Sequence, residues 1–259
     1  MSTHEPIADR DGTSVPSGAD QPSRSAAVSG LLGWRWRDLA KLLAVCVLVL
    51  LLVNAFVAQP FVVPSASMEN ALRPGDRLLV NKLAYQFGGS VHRGDVVVFD
   101  GTDSFVPGGD NSIGIGTELS RLAASLGLGS GDGSVFVKRV IGVGGDRVTY
   151  RVGEDELTVN GVRLAESDYL FPGDAPSAVG FDIKVPAGEL FLLGDHRSNS
   201  RDSRDHLGDP GGGFVPERKV IGRADWVLFP IGHWRSLDRP AGFAAVASAG
   251  GTGGHGDQG

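Results

Sequence analysis

VFVKRVIGV, residues 135–143, is a run of β-branched and apolar residues with a lysine and an arginine at its centre. Such a run predicts a β-strand. Because side chains alternate between the two faces of a strand, Phe136 and Lys138 should share one face and Val137 should lie on the other. If this strand is buried, desolvation lowers the pKa of Lys138, and the amine can be neutral near neutral pH. The alternative is a lysine at a strand edge whose ammonium reaches water, and the sequence context leaves both open.

Further apolar runs beside turn residues predict a mainly β fold around this strand. They lie at residues 77–80, 95–99, 189–193 and 224–229. Residues 146–164 predict a small ribbon, because Asn160-Gly161 favours the type I′ turn of a two-residue hairpin. We expect this ribbon to form a subdomain over residues 146–185.

The N-terminal part of the chain contains a long apolar segment. Residues 42–58 carry no charged side chain, and with Leu39 and Ala40 they reach the roughly 20 residues that a spanning helix needs. A buried helix of a soluble protein would be shorter and would have a polar face. A cleavable signal peptide would have a shorter apolar core, and Pro60 makes the exit from this segment a poor cleavage site. We therefore predict a single uncleaved membrane anchor at residues 34–58.

Basic residues on the N-terminal side of the anchor predict its orientation. Arg35, Arg37 and Lys41 precede the apolar segment, which favours a cytoplasmic N-terminus and an extracytoplasmic remainder in the cell membrane. The predicted organisation is a disordered N-terminus at 1–33, the anchor at 34–58, a β-rich domain at 59–238 and a disordered tail at 239–259. Within the β-rich domain we predict a Gly-rich insertion at 101–134 that contains a short helix near 118–126.

Composition excludes several classes of protein. The 259 residues carry a formal net charge of -6, which disfavours a nucleic-acid-binding protein. Cys46 is the single cysteine and lies in the apolar segment, so the chain has no disulfide of its own and no cysteine-based metal site. No motif predicts a metal ion or a cofactor.

A candidate nucleophile follows the anchor at once. Ser67 stands in FVVPSASM, residues 61–68, and lies nine positions after Ala58, at most about 30 Å of extended chain. A serine hydroxyl needs a base within hydrogen-bond reach. Lys138 is one candidate base. The other is a histidine, either His196 or His206, in a triad with Asp195 or Asp202.

Five blocks of sequence, in the same order, resemble bacterial type I signal peptidases. They are PSASM at 64–68, GDRLLVNK at 75–82, RGDVVVF at 93–99, KRVIGVGGD at 138–146 and GDHRSNSRDSR at 194–204. The resemblance covers roughly residues 40–232 and implies an antiparallel β-sheet fold of the signal-peptidase type behind one N-terminal transmembrane helix. The sequence departs from the family's usual pattern at residues 70–72, at His196 and at Ser198.

The resemblance also implies roles for individual residues. Ser67 would be the nucleophile and Lys138 the general base, with the Ser67 N–H and the Ser65 hydroxyl as the oxyanion hole. Preorganised donors of this kind are commonly worth about 3 kcal/mol each. The family pattern implies that Ser200 hydrogen-bonds and orients the lysine. The remaining supporting residues are Asp202 and Arg204 as an ion pair beside the site, and Arg139.

Two predicted strand edges could hold an extended substrate by main-chain pairing, with shallow pockets for small side chains. The residues expected to contact the substrate are Phe61, Val62, Val63, Pro64, Met68, Val135, Phe136 and Val137. The distance from the anchor to Ser67 matches the place where a signal peptide is cut, just beyond its apolar region.

The expected function is therefore that of a membrane-anchored serine endopeptidase that removes signal peptides from secretory preproteins after small-x-small sites such as Ala-x-Ala. Its partners would be these preproteins and the lipid bilayer, without nucleic acid, metal or cofactor. One alternative keeps the Ser-Lys dyad in a repressor-type or self-cleaving peptidase. Another is an anchored, non-catalytic β-rich binding protein, in which Ser67 and Lys138 could be replaced without loss of function.

Overall fold

The protein is described here by a computed structural model, which covers residues 36–106 and 134–248. The described residues fall into two units that divide between Val47 and Leu48. Helix α1, Trp36–Phe56, lies at the predicted anchor and consists mostly of leucine, valine and alanine, with no buried residue. Within the described ranges it is the one helix long and apolar enough to cross a membrane. Its insertion into a bilayer stays a prediction.

In the described residues, twelve strands follow α1 and confirm the mainly β fold. They are β1 Ala58–Val62, β2 Arg77–Asn81, β3 Val96–Asp100, β4 Val135–Val143, β5 Arg147–Tyr150, β6 Thr158–Val159, β7 Val162–Arg163, β8 Phe181–Lys184, β9 Glu189–Leu193, β10 Val215–Pro216, β11 Val220–Phe229 and β12 Arg235–Ser236. The main sheet has the order β1-β2-β11-β3-β4-β9-β10, with β12 paired to β11, and all these pairs are antiparallel.

The ribbon predicted from Asn160-Gly161 is present as a second sheet. Its four antiparallel strands have the order β7-β6-β5-β8. Asn160 and Gly161 have φ angles of 53° and 80°. Positive φ at both central residues is what a type I′ turn requires, so this hairpin is confirmed. Strand β8 was not predicted from the sequence.

Strand β4 covers the residues that the sequence predicted, and Phe136 and Val137 lie on different sides of it, as expected. Val137 packs in what we call the serine-side cluster, which consists of Val63, Met68, Leu72, Leu78, Val80, Val96, Val98, Val137, Ala224 and Val227. Phe136 and Val140 pack instead with Phe99 and Phe105 in a second cluster. Neighbouring residues of β4 therefore contribute to different parts of the core.

Among the strand edges that have no strand beside them in the described part of the chain, two border the serine-side cluster. β1 is the outermost strand of the main sheet and pairs with β2 alone. Strand β4 pairs with β3 over residues 135–139, but its pairing with β9 begins only at Arg139. One edge of β4 is therefore open at residues 135–138, the segment that ends with Lys138.

The predicted disordered tail is wrong for residues 239–248. Helix α2, Phe243–Ala247, follows the last strand, and its Phe243 and Val246 side chains are buried in the core of the ribbon. Arg239 Nε donates to Asp95 Oδ1 at 2.5 Å, and Arg93 Nη1 donates to the Val246 carbonyl at 2.8 Å. Small residues dominate this segment, but two apolar side chains and two arginine contacts suffice to order it. Residues 249–259, the N-terminus at 1–33 and the helix near 118–126 lie outside the described residues.

Candidate active site

Ser67 is held in a single 3₁₀ turn, Ala66–Met68, that follows β1. Its side chain is buried, and so is that of Met68, which belongs to the serine-side cluster. The Ser67 carbonyl accepts a hydrogen bond from the backbone N–H of His196 at 3.1 Å. The turn is therefore fixed on one side by apolar packing and on the other by the loop that follows β9.

Lys138 reaches Ser67 from strand β4. Its Nζ donates to Ser67 Oγ at 2.6 Å, although the two residues are 71 positions apart in the chain. Only 3% of Lys138 is exposed. Burial lowers the pKa of the Lys138 amine from 10.5 to about 8, while the nearby carboxylates of Asp202 and Asp195 act in the opposite direction. The buried alternative for this lysine is therefore the correct one, and the strand-edge alternative is wrong.

Ser65 completes the group of side chains around the Ser67 hydroxyl. Its own hydroxyl donates to Ser67 Oγ at 3.3 Å. Ser65 is exposed, whereas Ser67 is buried. The Ser65 hydroxyl is therefore a donor available to an oxygen atom placed next to Ser67.

The loop after β9 packs closely against Ser67. A Cβ on Gly194 would lie 2.5 Å from the Ser67 carbonyl oxygen and would collide with the Ser200 side chain. Only glycine permits this approach. Ser200 Oγ is buried, and its interaction with the Asp202 carboxylate helps to lower the pKa of Asp202, but the structure shows no hydrogen bond between Ser200 and Lys138. The orienting role that the family pattern implies for Ser200 therefore stays a prediction.

Asp202 and Arg204 form the predicted ion pair. Arg204 Nε and Nη2 donate to the Asp202 carboxylate at 2.8 Å each, and the Gly194 N–H donates to Asp202 Oδ2 at 3.0 Å. Burial alone would raise the pKa of Asp202, but Arg204 and the Gly194 N–H outweigh it and hold that pKa below its usual value. Asp202 is thus an anion within electrostatic reach of Lys138.

Arg139 faces away from the nucleophile into a buried ionic network. It donates twice to Asp195, at 2.8 and 2.6 Å, and once to the Gly94 carbonyl, and its guanidinium lies 4.4 Å from the Tyr169 ring centre. Tyr169 donates to Glu166 at 2.6 Å, and Glu166 accepts from Arg197 at 2.5 Å. Sequence reasoning missed Glu166 and Tyr169, which belong to none of the five blocks and have no local signal.

The two histidines considered for a triad are placed elsewhere. The His196 ring stacks on Phe171 with ring centres 3.8 Å apart, and His206 contacts Asp209 at 2.7 Å. The side-chain partners of Ser67 Oγ are Lys138 and Ser65. The lysine is therefore the base that the geometry offers.

The predicted substrate contacts divide into two groups. Val63, Met68 and Val137 are core members of the serine-side cluster, and Phe61 and Val135 pack against it. Phe136 is not brought into this group, since its ring stacks on Phe99 at 5.9 Å and meets Phe105 edge-on at 5.6 Å. Phe136 therefore presents only its main chain to the open edge of β4. Within the described residues, no group of His, Cys, Asp or Glu side chains could hold a metal ion.

A buried amine hydrogen-bonded to a serine hydroxyl, with a second hydroxyl beside it, is the arrangement of a serine hydrolase with a lysine base. A family model described as signal peptidase, peptidase S26, matches residues 36–229. The chain belongs to this signal peptidase I family, and it is a serine peptidase.

Individual relatives agree with this membership. The chain is 37% identical over 251 residues to signal peptidase I of Mycobacterium tuberculosis, an alignment that covers 88% of this chain and 82% of the relative. It is 30% identical over 205 residues to signal peptidase I of Bacillus licheniformis, covering 76% and 91%. A crystal structure of a signal peptidase I from Enterococcus faecalis is 25% identical, with a TM-score of 0.31 over 54% of this chain and 97% of that chain.

Proposed function

We propose that this chain is a membrane-anchored endopeptidase that removes signal peptides from secretory preproteins after small-x-small sites, with Ser67 as nucleophile and Lys138 as general base. The observation that carries the assignment is the 2.6 Å contact between Lys138 Nζ and Ser67 Oγ in a buried setting. Family membership supports signal-peptide removal as the reaction.

The dyad can carry both halves of a peptide hydrolysis. Neutral Lys138 takes the Ser67 proton while Oγ attacks the carbonyl carbon of the scissile bond. The protonated amine then gives that proton to the leaving nitrogen, which breaks the C–N bond and leaves an ester on Ser67. A water molecule, deprotonated by the same lysine, attacks the ester, releases the acid and restores the serine hydroxyl. With a pKa of about 8, the neutral fraction of Lys138 rises as the pH rises through that value.

The negative charge of the tetrahedral intermediate needs donors that are in place beforehand. The Ser65 hydroxyl and the Ser67 N–H are the groups we assign to this task, because the Ser65 hydroxyl already donates to Ser67 Oγ. Donors fixed by the fold need no reorganisation during the reaction, which is why they stabilise the oxyanion more than water does.

The open edges of β1 and of β4 residues 135–138 would hold the substrate as an added strand. Phe61 and Val135 pack against the same serine-side cluster, so the two edges border one apolar region next to Ser67. Main-chain pairing would supply affinity independent of sequence, and the closely packed valines would leave room only for small side chains. A preference for alanine at two positions of the cleavage site is the expected result.

The test is processing of a preprotein with an Ala-x-Ala site by the detergent-solubilised full chain, followed on a gel. Ser67→Ala and Lys138→Ala should each abolish the product, and wild-type activity should rise with pH through about 8. Ser198→Ala is the serine control, because Ser198 is exposed in the loop after β9, and Lys184→Ala is the exposed lysine control. Full processing by either dyad variant would overturn the assignment.

A further inference from the structure

Lys82 ends one of the five sequence blocks, yet the dyad does not use it. It follows Asn81, the last residue of β2, and Asn81 pairs with Ala58, the first residue of β1. Helix α1 ends at Phe56, so a single residue, Val57, separates the helix from the sheet. Lys82 therefore lies at the junction between the apolar helix and the first hairpin of the main sheet.

Three hydrogen bonds join Lys82 to this junction. Its backbone N–H donates to the Val57 carbonyl at 2.9 Å. Its Nζ donates to the carbonyls of Asn54 at 3.1 Å and Ala55 at 3.2 Å. All three acceptors belong to the end of α1 or to the residue that follows it.

These contacts provide hydrogen-bond donors for carbonyls at the C-terminal end of α1 that have no donor within the helix. The last carbonyls of a helix have no intrahelical donor, and a cation near them is favoured by the helix dipole. The last turn of α1 has no basic residue of its own. Lys82 supplies the missing cation from the neighbouring strand, and its half-buried position lowers the pKa of its amine through desolvation.

We infer that Lys82 is a positioning residue that fixes the end of the anchor helix to the catalytic sheet, and thereby fixes the height of Ser67 above the membrane. This inference rests on the proposed function, in which α1 spans the bilayer and the substrate is a membrane-inserted signal peptide. With one connecting residue and three hydrogen bonds, the sheet cannot rotate freely on the helix. The distance between the bilayer and the dyad is then a property of the fold.

A fixed height has a consequence for the choice of cleavage site. The apolar part of a signal peptide is held at a set depth by the bilayer, so its cleavage site lies at a set distance from the surface. A rigid enzyme accepts sites at one distance and rejects displaced sites, whereas an enzyme loosened at the junction accepts a wider range. Lys82 would thus influence which bond is cut, and leave the chemistry of cutting unchanged.

The experiment uses the full-length enzyme in proteoliposomes with a set of preproteins. Their apolar segment is constant, and one Ala-x-Ala site is displaced from it by steps of two residues. For wild type we expect the best position to be cut at least 20-fold faster than a site displaced by four residues. For Lys82→Ala this ratio should fall to below about 5-fold, and Lys82→Arg, which keeps the cation, should restore it. Lys184→Ala is the control for loss of a lysine far from the junction.

A second measurement separates positioning from folding and from catalysis. A short Ala-x-Ala peptide in detergent has no fixed depth, so Lys82→Ala should cut it within 2-fold of the wild-type rate. A loss of more than 10-fold there would show that Lys82 acts on the site itself and would overturn the proposal. Insertion of Gly-Gly between Val57 and Ala58, which leaves Lys82 in place, should flatten the position profile in the same way. An unchanged position profile in Lys82→Ala would also overturn the positioning role of Lys82. If the wild-type enzyme cuts no preprotein at any position, the proposed function itself is contradicted.

Discussion

At the scale of single residues, the buried Lys138 destabilises the folded protein as long as its amine is protonated. The lowering of the Lys138 pKa from 10.5 to about 8 means that protonation costs the folded state roughly 3 kcal/mol more than the unfolded chain. This cost is fully present below about pH 8, shrinks between pH 8 and 10.5, and is absent above that range, because there the lysine is neutral in both states.

Lys138→Met should therefore stabilise the protein at neutral pH while it removes activity. Methionine keeps the volume of the side chain and avoids the buried charge, so we expect a gain of up to about 3 kcal/mol in the free energy of unfolding at pH 7. The gain should shrink steadily between pH 8 and 10.5. Denaturant unfolding of the solubilised chain at several pH values measures it. A variant less stable than wild type at pH 7 would contradict the assigned cost.

Sequence reasoning proposed Ser67 and Lys138 as a pair, and the structure brings them together, but the sequence could not establish the burial of Lys138. The identity depends on short local blocks around Ser67 and Lys138. The burial depends on a contact across 71 positions of chain and on the loop that carries Asp202. The alternation of a strand predicts which side chains share a face, but it does not predict which other parts of the chain bury that face.

At the scale of the elements, the loop after β9 fits the nucleophile through the absence of a side chain. Gly194→Ala should lower kcat by at least 100-fold, because the added methyl group must displace Ser200 or the Ser67 backbone, and a shift of about 1 Å is enough for such a loss. Peptide cleavage under saturating conditions measures the effect. Gly208→Ala is the matched control, since a Cβ at Gly208 meets nothing within 4 Å. Equal activity of the two variants would contradict this role of Gly194.

Helix α2 is one of the elements that sequence patterns missed, although β4 and β9 were predicted at their observed bounds. Five helical residues among glycines and alanines have no periodicity to recognise. Their order comes from partners distant in sequence, since Phe243 stacks on Tyr169 with ring centres 5.7 Å apart and covers Gly94. Tyr169 in turn contacts the Arg139 guanidinium next to the dyad.

Phe243→Ala should test whether this segment is part of the folded domain. A buried phenylalanine replaced by alanine typically costs about 3–5 kcal/mol. We expect a loss of that size in the free energy of unfolding, with Val179→Ala as a control at an exposed apolar position and within about 0.5 kcal/mol of wild type. A loss under 1 kcal/mol would mean that the helix contributes little to stability.

At the scale of the whole molecule, β1 connects helix α1 with Ser67. One residue separates the strand from the end of α1, four residues separate it from Ser67, and its outer edge has no strand beside it. The same short segment therefore sets the distance of Ser67 from the helix end and, in the proposed function, would offer one edge to the substrate. Enzyme and substrate would approach the bilayer surface in the same direction, each with an apolar helix in the membrane and an extended segment just outside it.

This arrangement requires that everything after Ala58 lie outside the cell, and it predicts a single orientation. Arg37 and Lys41 lie at the N-terminal end of α1, where Asp38 offsets only part of their charge, and the last turn has no basic residue. In intact cells stripped of their outer layers, an epitope tag after Gly259 should be removed by added protease, and a tag before Met1 should be removed only after lysis. Arg37→Glu combined with Lys41→Glu should reduce the fraction in this orientation. Protection of the C-terminal tag in the unaltered chain would place the dyad on the wrong side of the membrane for secretory substrates, and would contradict the proposed function as a whole.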